Sequence, residues 1–210
     1  MDDYLVQNIE RLIGSHISGV VGRLLQNYPP EKQTDIKTVL VFRMVTLDIL
    51  AGLRKEKLIS WHEDNPRFLG FLRDCQFLHF DKETSSYRDE ILRRIIYLDF
   101  AFASCRHTAH IQEVHRCALE YYEGLILREG EQQKSAYFIE WLFHALQRAS
   151  LPNEEIVSKW KTLLSAIRPG KILPEDLKKS IGEEMQKDIE IRHLYRGRFG
   201  SDNFSPLWDD

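Results

Sequence analysis

The chain has 210 residues, enough for one large domain or two small ones with a buried core. Hydrophobic residues make up 43% and charged residues 29%, which is ordinary globular usage and argues against a disordered or fibrous chain. The 29 basic and 32 acidic side chains are well mixed and leave a net charge of -3, a balance that gives no electrostatic footprint for nucleic acid or an anionic membrane. Cys75, Cys105 and Cys117 are odd in number and sit inside apolar helical patterns, so reduced core thiols are expected rather than a disulfide framework. Met1-Asp2-Asp3 offers no basic region of a signal peptide, and no window approaches the roughly 18 apolar residues of a membrane span. A cytoplasmic protein without a membrane partner is the expectation.

Helical spacing dominates the chain. Leu5, Ile9, Leu12 and Ile13 form one apolar stripe, and Ile17, Val20, Val21, Leu24, Leu25 and Tyr28 form another, with Gly14 between them and Pro29-Pro30 ending the pair. Residues 1–34 are therefore expected to make a helical hairpin. Asp35 is placed to cap a helix through Met44, Thr46 a shorter one through Leu53, and Pro66 opens a third that ends at Cys75. Gln76 to Phe80 then alternates in strand fashion, Asp81 to Ser85 is polar turn material, and Ser86-Tyr87-Arg88 returns as a second short strand. Helices followed by a hairpin are the order of a winged-helix unit, expected over residues 35–105. Its core should hold Val41, Phe42, Leu47, Ile49, Leu50, Leu53, Phe68, Leu69, Leu72, Phe77 and Leu92.

A helical bundle is expected over residues 106–195. Its helices are Ile111 to Leu127, Lys134 to Ala149, one capped by Asn153 and running to about Ile167, and a charge-rich one from Pro174 to near Tyr195. The paired helices have the size of a TPR-like unit. The glycine- and polar-rich stretch 196–210 is expected to be an irregular tail. The fold class is thus mainly α, with one short β-hairpin.

The densest cluster of candidate ligands is Cys105, His107, His110, Glu113, His115 and Cys117, of the residue types that zinc prefers. Its spacing misses both HExxH and HxxEH, so no general base is paired with two ligands on one helical face. His115 and Cys117 lie about 200° apart around a helix, whereas His115 continues the stripe Ile111, Ala118, Tyr122. A packed helix explains it better than a metal-dependent enzyme. Gly14 to Gly22 has no lysine followed by serine or threonine and is no phosphate-binding loop. His62-Glu63-Asp64 reads as solvated capping residues. No candidate nucleophile emerges, so neither catalysis nor a cofactor is expected. DNA binding through the winged helix would use Arg54, Lys55, Lys57, Arg67 and Arg73. From Glu63 to Asp74, however, Arg67 and Arg73 stand against Glu63, Asp64 and Asp74, so no basic fringe faces a phosphate backbone.

His115-Arg-Cys-Ala-Leu-Glu-Tyr-Tyr122 followed by Glu140-Trp-Leu-Phe-His-Ala-Leu146 resembles the helices after the winged-helix domain of bacterial STAND NTPases, the signal-transduction ATPases with numerous domains. Phe68-Leu-Gly-Phe-Leu-Arg-Asp-Cys-Gln-Phe-Leu-His-Phe80 and Ser86-Tyr-Arg-Asp-Glu-Ile-Leu92 are similar to that domain's helix, wing and following helix. The resemblance spans roughly residues 35–150. It places Tyr87-Arg88-Asp89 at the family's MHD-type motif, with Arg88 where the family has a histidine that touches nucleotide phosphate. The chain lacks the Walker motifs. The resemblance therefore implies a non-catalytic regulatory or protein-interaction module, whose partner would be a protein such as a nucleotide-binding domain in cis or in trans. The alternative is a winged-helix DNA-binding regulator.

Overall fold

The computed structural model describes residues 16–61, 64–74, 78–80, 85–87, 90–102, 108–128, 134–167 and 175–208. The protein is mainly helical and divides into two compact units, Met1–Val114 and His115–Asp210.

In unit 1, helix α1 covers residues 16–25 and α2 covers Pro30–Val39. Strand β1 is Met44–Val45, α3 is Leu47–Lys55 and α4 is Asn65–Asp74. Strands β2 (Leu78–Phe80) and β3 (Ser85–Tyr87) precede α5 (Glu90–Phe102). The hairpin expected from the alternating pattern is present, with Leu78 opposite Tyr87 and Phe80 opposite Ser85. Its sheet has a third strand, because β1 pairs antiparallel with β3, Met44 opposite Ser86, giving the order β1-β3-β2.

That pairing corrects the helix expected from Asp35 through Met44. Pro30 opens α2, because its fixed φ suits a first helical position that needs no N–H, and the first stripe of the hairpin expected over residues 1–34 lies outside the described residues. Asp35, expected as a cap, lies inside α2 and is buried. The helix stops at Val39 because the chain beyond it is drawn into the sheet and the core. Thr46 does cap α3, its hydroxyl accepting from the Ile49 N–H at 3.2 Å.

The core of unit 1 includes Ile36, Val39, Val41, Phe42, Val45, Ile49, Leu50, Leu53, Phe68 and Leu72. Leu47, expected there, is 44% exposed, since the first position of α3 faces away from the side that carries Ile49, Leu50 and Leu53. Leu69 is half-buried. Phe77 and the side chain of Leu92 lie outside the described residues. Leu72 is 1% exposed, so truncating it removes buried contacts from this core. Leu72→Ala should therefore lower unfolding stability by about 2–5 kcal/mol, measured by denaturant titration.

Unit 2 begins inside helix α6 (Thr108–Leu127) and continues through α7 (Lys134–Gln147) and α8 (Asn153–Ala166). The charge-rich segment is two helices, α9 (Glu175–Lys187) and α10 (Ile189–Phe199), and not one. Asp188 divides them by accepting from the Glu190 and Ile191 N–H groups, both at 3.0 Å. Helix α10 also runs past Tyr195 to Gly200, which closes it in the left-handed conformation at φ 72°. The tail expected to be irregular is likewise built. Asn203 holds Ser205, residues Ser205–Leu207 form a 3-10 turn, and Phe204 and Leu207 are buried.

Every residue of α7 from Phe138 to Leu146 is buried, Glu140 and His144 included, and the helix packs against α8, α9 and α10. Pro152, and not Asn153, is the cap of α8. The Asn153 side chain instead donates to the Arg198 carbonyl at 2.8 Å. The Arg198 guanidinium donates in turn to the carbonyls of Leu146 (3.0 Å), Leu151 (2.9 Å) and Arg148. The Arg148 carbonyl also accepts from the Leu151 N–H at 3.0 Å, and Arg198 adds a charged donor to this end of α7 and the turn after it. Arg198→Ala should cost about 2–4 kcal/mol by denaturant titration, because several carbonyls lose a charged donor together. Arg198→Lys should recover little, since one ammonium cannot reproduce the planar fork.

Candidate functional site

The connection between α3 and α4 is where a winged-helix unit would present its working surface. Helix α3 ends at Lys55, and the chain reverses through Lys57, which holds φ 58°. The reversal is closed by Lys57 N–H to Arg54 O at 3.0 Å and Leu58 N–H to Leu53 O at 2.8 Å. Leu58, Ile59 and Trp61 then turn inward, and the Ser60 N–H donates to Asp35 Oδ1 at 3.0 Å. Burial raises the pKa of the Asp35 carboxyl, against the lowering effect of its bonds to Ser60 and Trp61 and of nearby His110.

Asp64 opens α4 by accepting from the Arg67 N–H at 2.8 Å. Trp61 stacks on Phe68 with centroids 4.2 Å apart and meets Phe71 at 4.7 Å, and the Lys32 ammonium lies 4.4 Å over the Trp61 ring. This aromatic group fixes the angle at which α4 leaves the loop. The outer side of α4 shows Arg67, Arg73, Asp64 and Asp74, two cations against two anions. Arg67 and Arg73 are exposed, as the sequence suggests, and Arg67 lies 3.9 Å from the Asp64 carboxylate. Lys55 and Lys57 are exposed with Glu56 between them, and Arg54 is half-buried. Arg88, the MHD-like position, lies outside the described residues.

The histidines of the cluster make separate contacts, whereas Glu113 brings a carboxylate oxygen within 4.8 Å of one from Glu56. His110 belongs to unit 1, where its Nε2 is 2.9 Å from the Thr38 hydroxyl and its ring meets the Phe100 ring edge-on. Thr38 is fully buried, so its hydroxyl is closed to substrate and the contact ties α6 to α2. His115 belongs to unit 2, is fully buried, and makes a 2.9 Å contact from its Nδ1 to Nδ1 of His144. Burial and the Arg148 charge push its pKa down to about 3. Glu113 and Cys117 are half-exposed, with the Cys117 thiol 3.6 Å from the Arg116 guanidinium. Cys105 and His107 lie outside the described residues.

One polar centre has no local signature in the sequence. Asp99 on α5 is 4% exposed and accepts from the Ser18 hydroxyl at 2.6 Å and the Lys37 ammonium at 2.7 Å. Its partners are 81 and 62 residues away along the chain. His144 also went unread as a partner of His115, since both simply fill helical stripes.

Comparison with protein-family models, with curated proteins and with solved structures finds no match for this chain.

The reversal at Lys57 carries a measurable strain. A side chain in the left-handed region is disfavoured by about 1–2 kcal/mol, and glycine is free of that penalty. Lys57→Gly should raise stability by about 1 kcal/mol in a thermal or denaturant melt, and Lys57→Val should lower it.

Proposed function

We propose that the chain is a non-catalytic regulatory or protein-interaction module, a winged-helix-like unit followed by a helical bundle, working in the cytoplasm within a STAND-like signal-transduction NTPase system. The observation that carries the reading is the outer side of α4. Elements run helix, strand, helix, helix, hairpin with strand order β1-β3-β2, which makes α4 the helix that would enter a DNA groove. That helix presents balanced charge instead of the cationic fringe that phosphate contacts require. A balanced polar face suits a protein partner, and the resemblance suggests a nucleotide-binding domain in cis or in trans. Two further features agree with this reading. The buried polar groups Asp35, Asp99 and Thr38 are engaged in holding helices together, and no described helix is long and apolar enough to cross a membrane.

The second reading, a DNA-binding regulator, draws on exposed Lys55 and Lys57 at the α3–α4 reversal. The two separate in a duplex-binding assay by fluorescence anisotropy. For an interaction module, affinity for random duplex at physiological salt should be weak, about 10⁻⁴–10⁻⁶ M, and almost unchanged when Arg67 and Arg73 are both replaced by alanine. Tight, sequence-dependent binding that collapses in that double variant, or in Lys55→Ala with Lys57→Ala, establishes the DNA reading instead.

A further inference from the structure

Buried histidine pairs are uncommon because imidazole is amphoteric and its charged form is poorly solvated in a core. In unit 2, His115 on α6 and His144 on α7 are both fully buried. Their Nδ1 atoms are 2.9 Å apart, and their ring centroids are 5.1 Å apart at 56°. A contact between two ring nitrogens constrains protons tightly. One Nδ1 must carry a hydrogen and donate, and the other must offer its lone pair. A proton added to the accepting nitrogen removes that lone pair, sets two N–H groups against each other and breaks the bond.

Aromatic rings form the near surroundings of the pair. Phe143 meets His115 edge-on at 6.5 Å, and Tyr122 lies almost parallel to His144 at 5.8 Å. On α7 the charged neighbour is the buried Glu140, one turn before His144, and Arg148 follows just past the end of the helix, one turn after it. On α6, Arg116 is paired with Glu120, and Glu123 accepts from the Trp141 Nε1–H of α7 at 3.0 Å. From the helices packed on α7, Glu184 of α9 accepts from Ser135 at the far end, and Arg198 of α10 is committed to backbone carbonyls. Burial and Arg148 together hold the His115 ring neutral to about pH 3.

We propose that the His115–His144 contact is a proton-sensitive latch between α6 and α7, closed while the two rings share a single proton and opened by uptake of another. The proton-linked sign follows from burial. The closed state binds protons more weakly than the open one, whose imidazoles titrate near pH 6.5, so latch stability is fully present above that value and declines as pH falls toward 3. The latch is independent of how α4 is read.

Amide hydrogen exchange on the full chain tests this at residues 115–127 and 138–146, corrected for the intrinsic pH dependence of exchange. Between pH 7.5 and 5.5, protection should fall about tenfold for each histidine that charges on opening. In His115→Asn, whose amide keeps a hydrogen-bonding group near the Nδ1 position but cannot titrate, at least one of those tenfold losses should disappear. In His193→Asn, which alters an exposed histidine, the loss should remain. Protection that does not change with pH, or that falls equally in wild type and His115→Asn, overturns the latch. If His115→Asn does not fold, imidazole nitrogen NMR of the wild type decides. Two neutral rings coupled through Nδ1 support the latch, and a His115 ring that titrates near pH 6.5 with the helices still packed refutes it.

Discussion

A carboxylate taken out of water must be met by donors, and in unit 1 that requirement organises the helices. Asp99 gathers Ser18 from α1 and Lys37 from α2 onto α5, so three elements far apart in the chain share one polar centre. Asp35, two residues from Asp99's partner Lys37 and so on the opposite side of α2, reaches the other way and seizes the loop before α4. Helix α2 is thus the bracket of the unit, with one polar contact for the outer helices and one for the reversal. The sheet could not do this work, because its strands are two and three residues long and short ladders have little independent stability. Leaving either carboxylate without its donors would strand a buried charge, which is far more damaging than the loss of an exposed pair such as Arg67–Asp64.

Unit 2 meets a different requirement. From Phe138 to Leu146 helix α7 is buried around its whole circumference, and side chains of other helices reach the carbonyls at its end. Arg198 supplies the missing donors from α10, and Asn153 locks the same junction from α8. The aromatic residues then complete the enclosure. Phe138 and Trp208 both meet Trp160 edge-on, and Tyr195 is covered by Phe199 and Phe204. The C-terminal residues are part of this core, and for that reason a glycine-rich and polar composition did not leave them without structure.

What could be read from the residues was local. The hairpin showed in the alternation from Gln76 to Phe80, the α3 cap in Thr46, and the buried face of α6 in the stripe of Ile111, His115, Ala118 and Tyr122. The misreadings share one cause, which is that the deciding contact is distant in sequence. Asp35 has the composition of a helix cap but answers to Ser60, and Met44 has helical propensity but answers to Ser86. Asp188 is the exception. Its capping signal was local, and it was obscured by the continuous charge pattern on either side. Of the candidate site, the surface arginines Arg67 and Arg73 were legible, because exposure follows directly from helical periodicity. The pairing of His115 with His144 and the Asp99 centre were not, since no spacing rule connects residues on separate helices.

The long reach of the Asp99 centre has a consequence for synthesis. Ser18 leaves the ribosome 81 residues before its partner, and at about 5–20 residues per second that is an interval of roughly 4–16 s. The β1 edge waits less, since Met44 needs only Ser86. The partner strand of β1 is therefore synthesised before the anchor of α1, whose buried Val21 and Leu25 must wait for Asp99 before that polar contact can form.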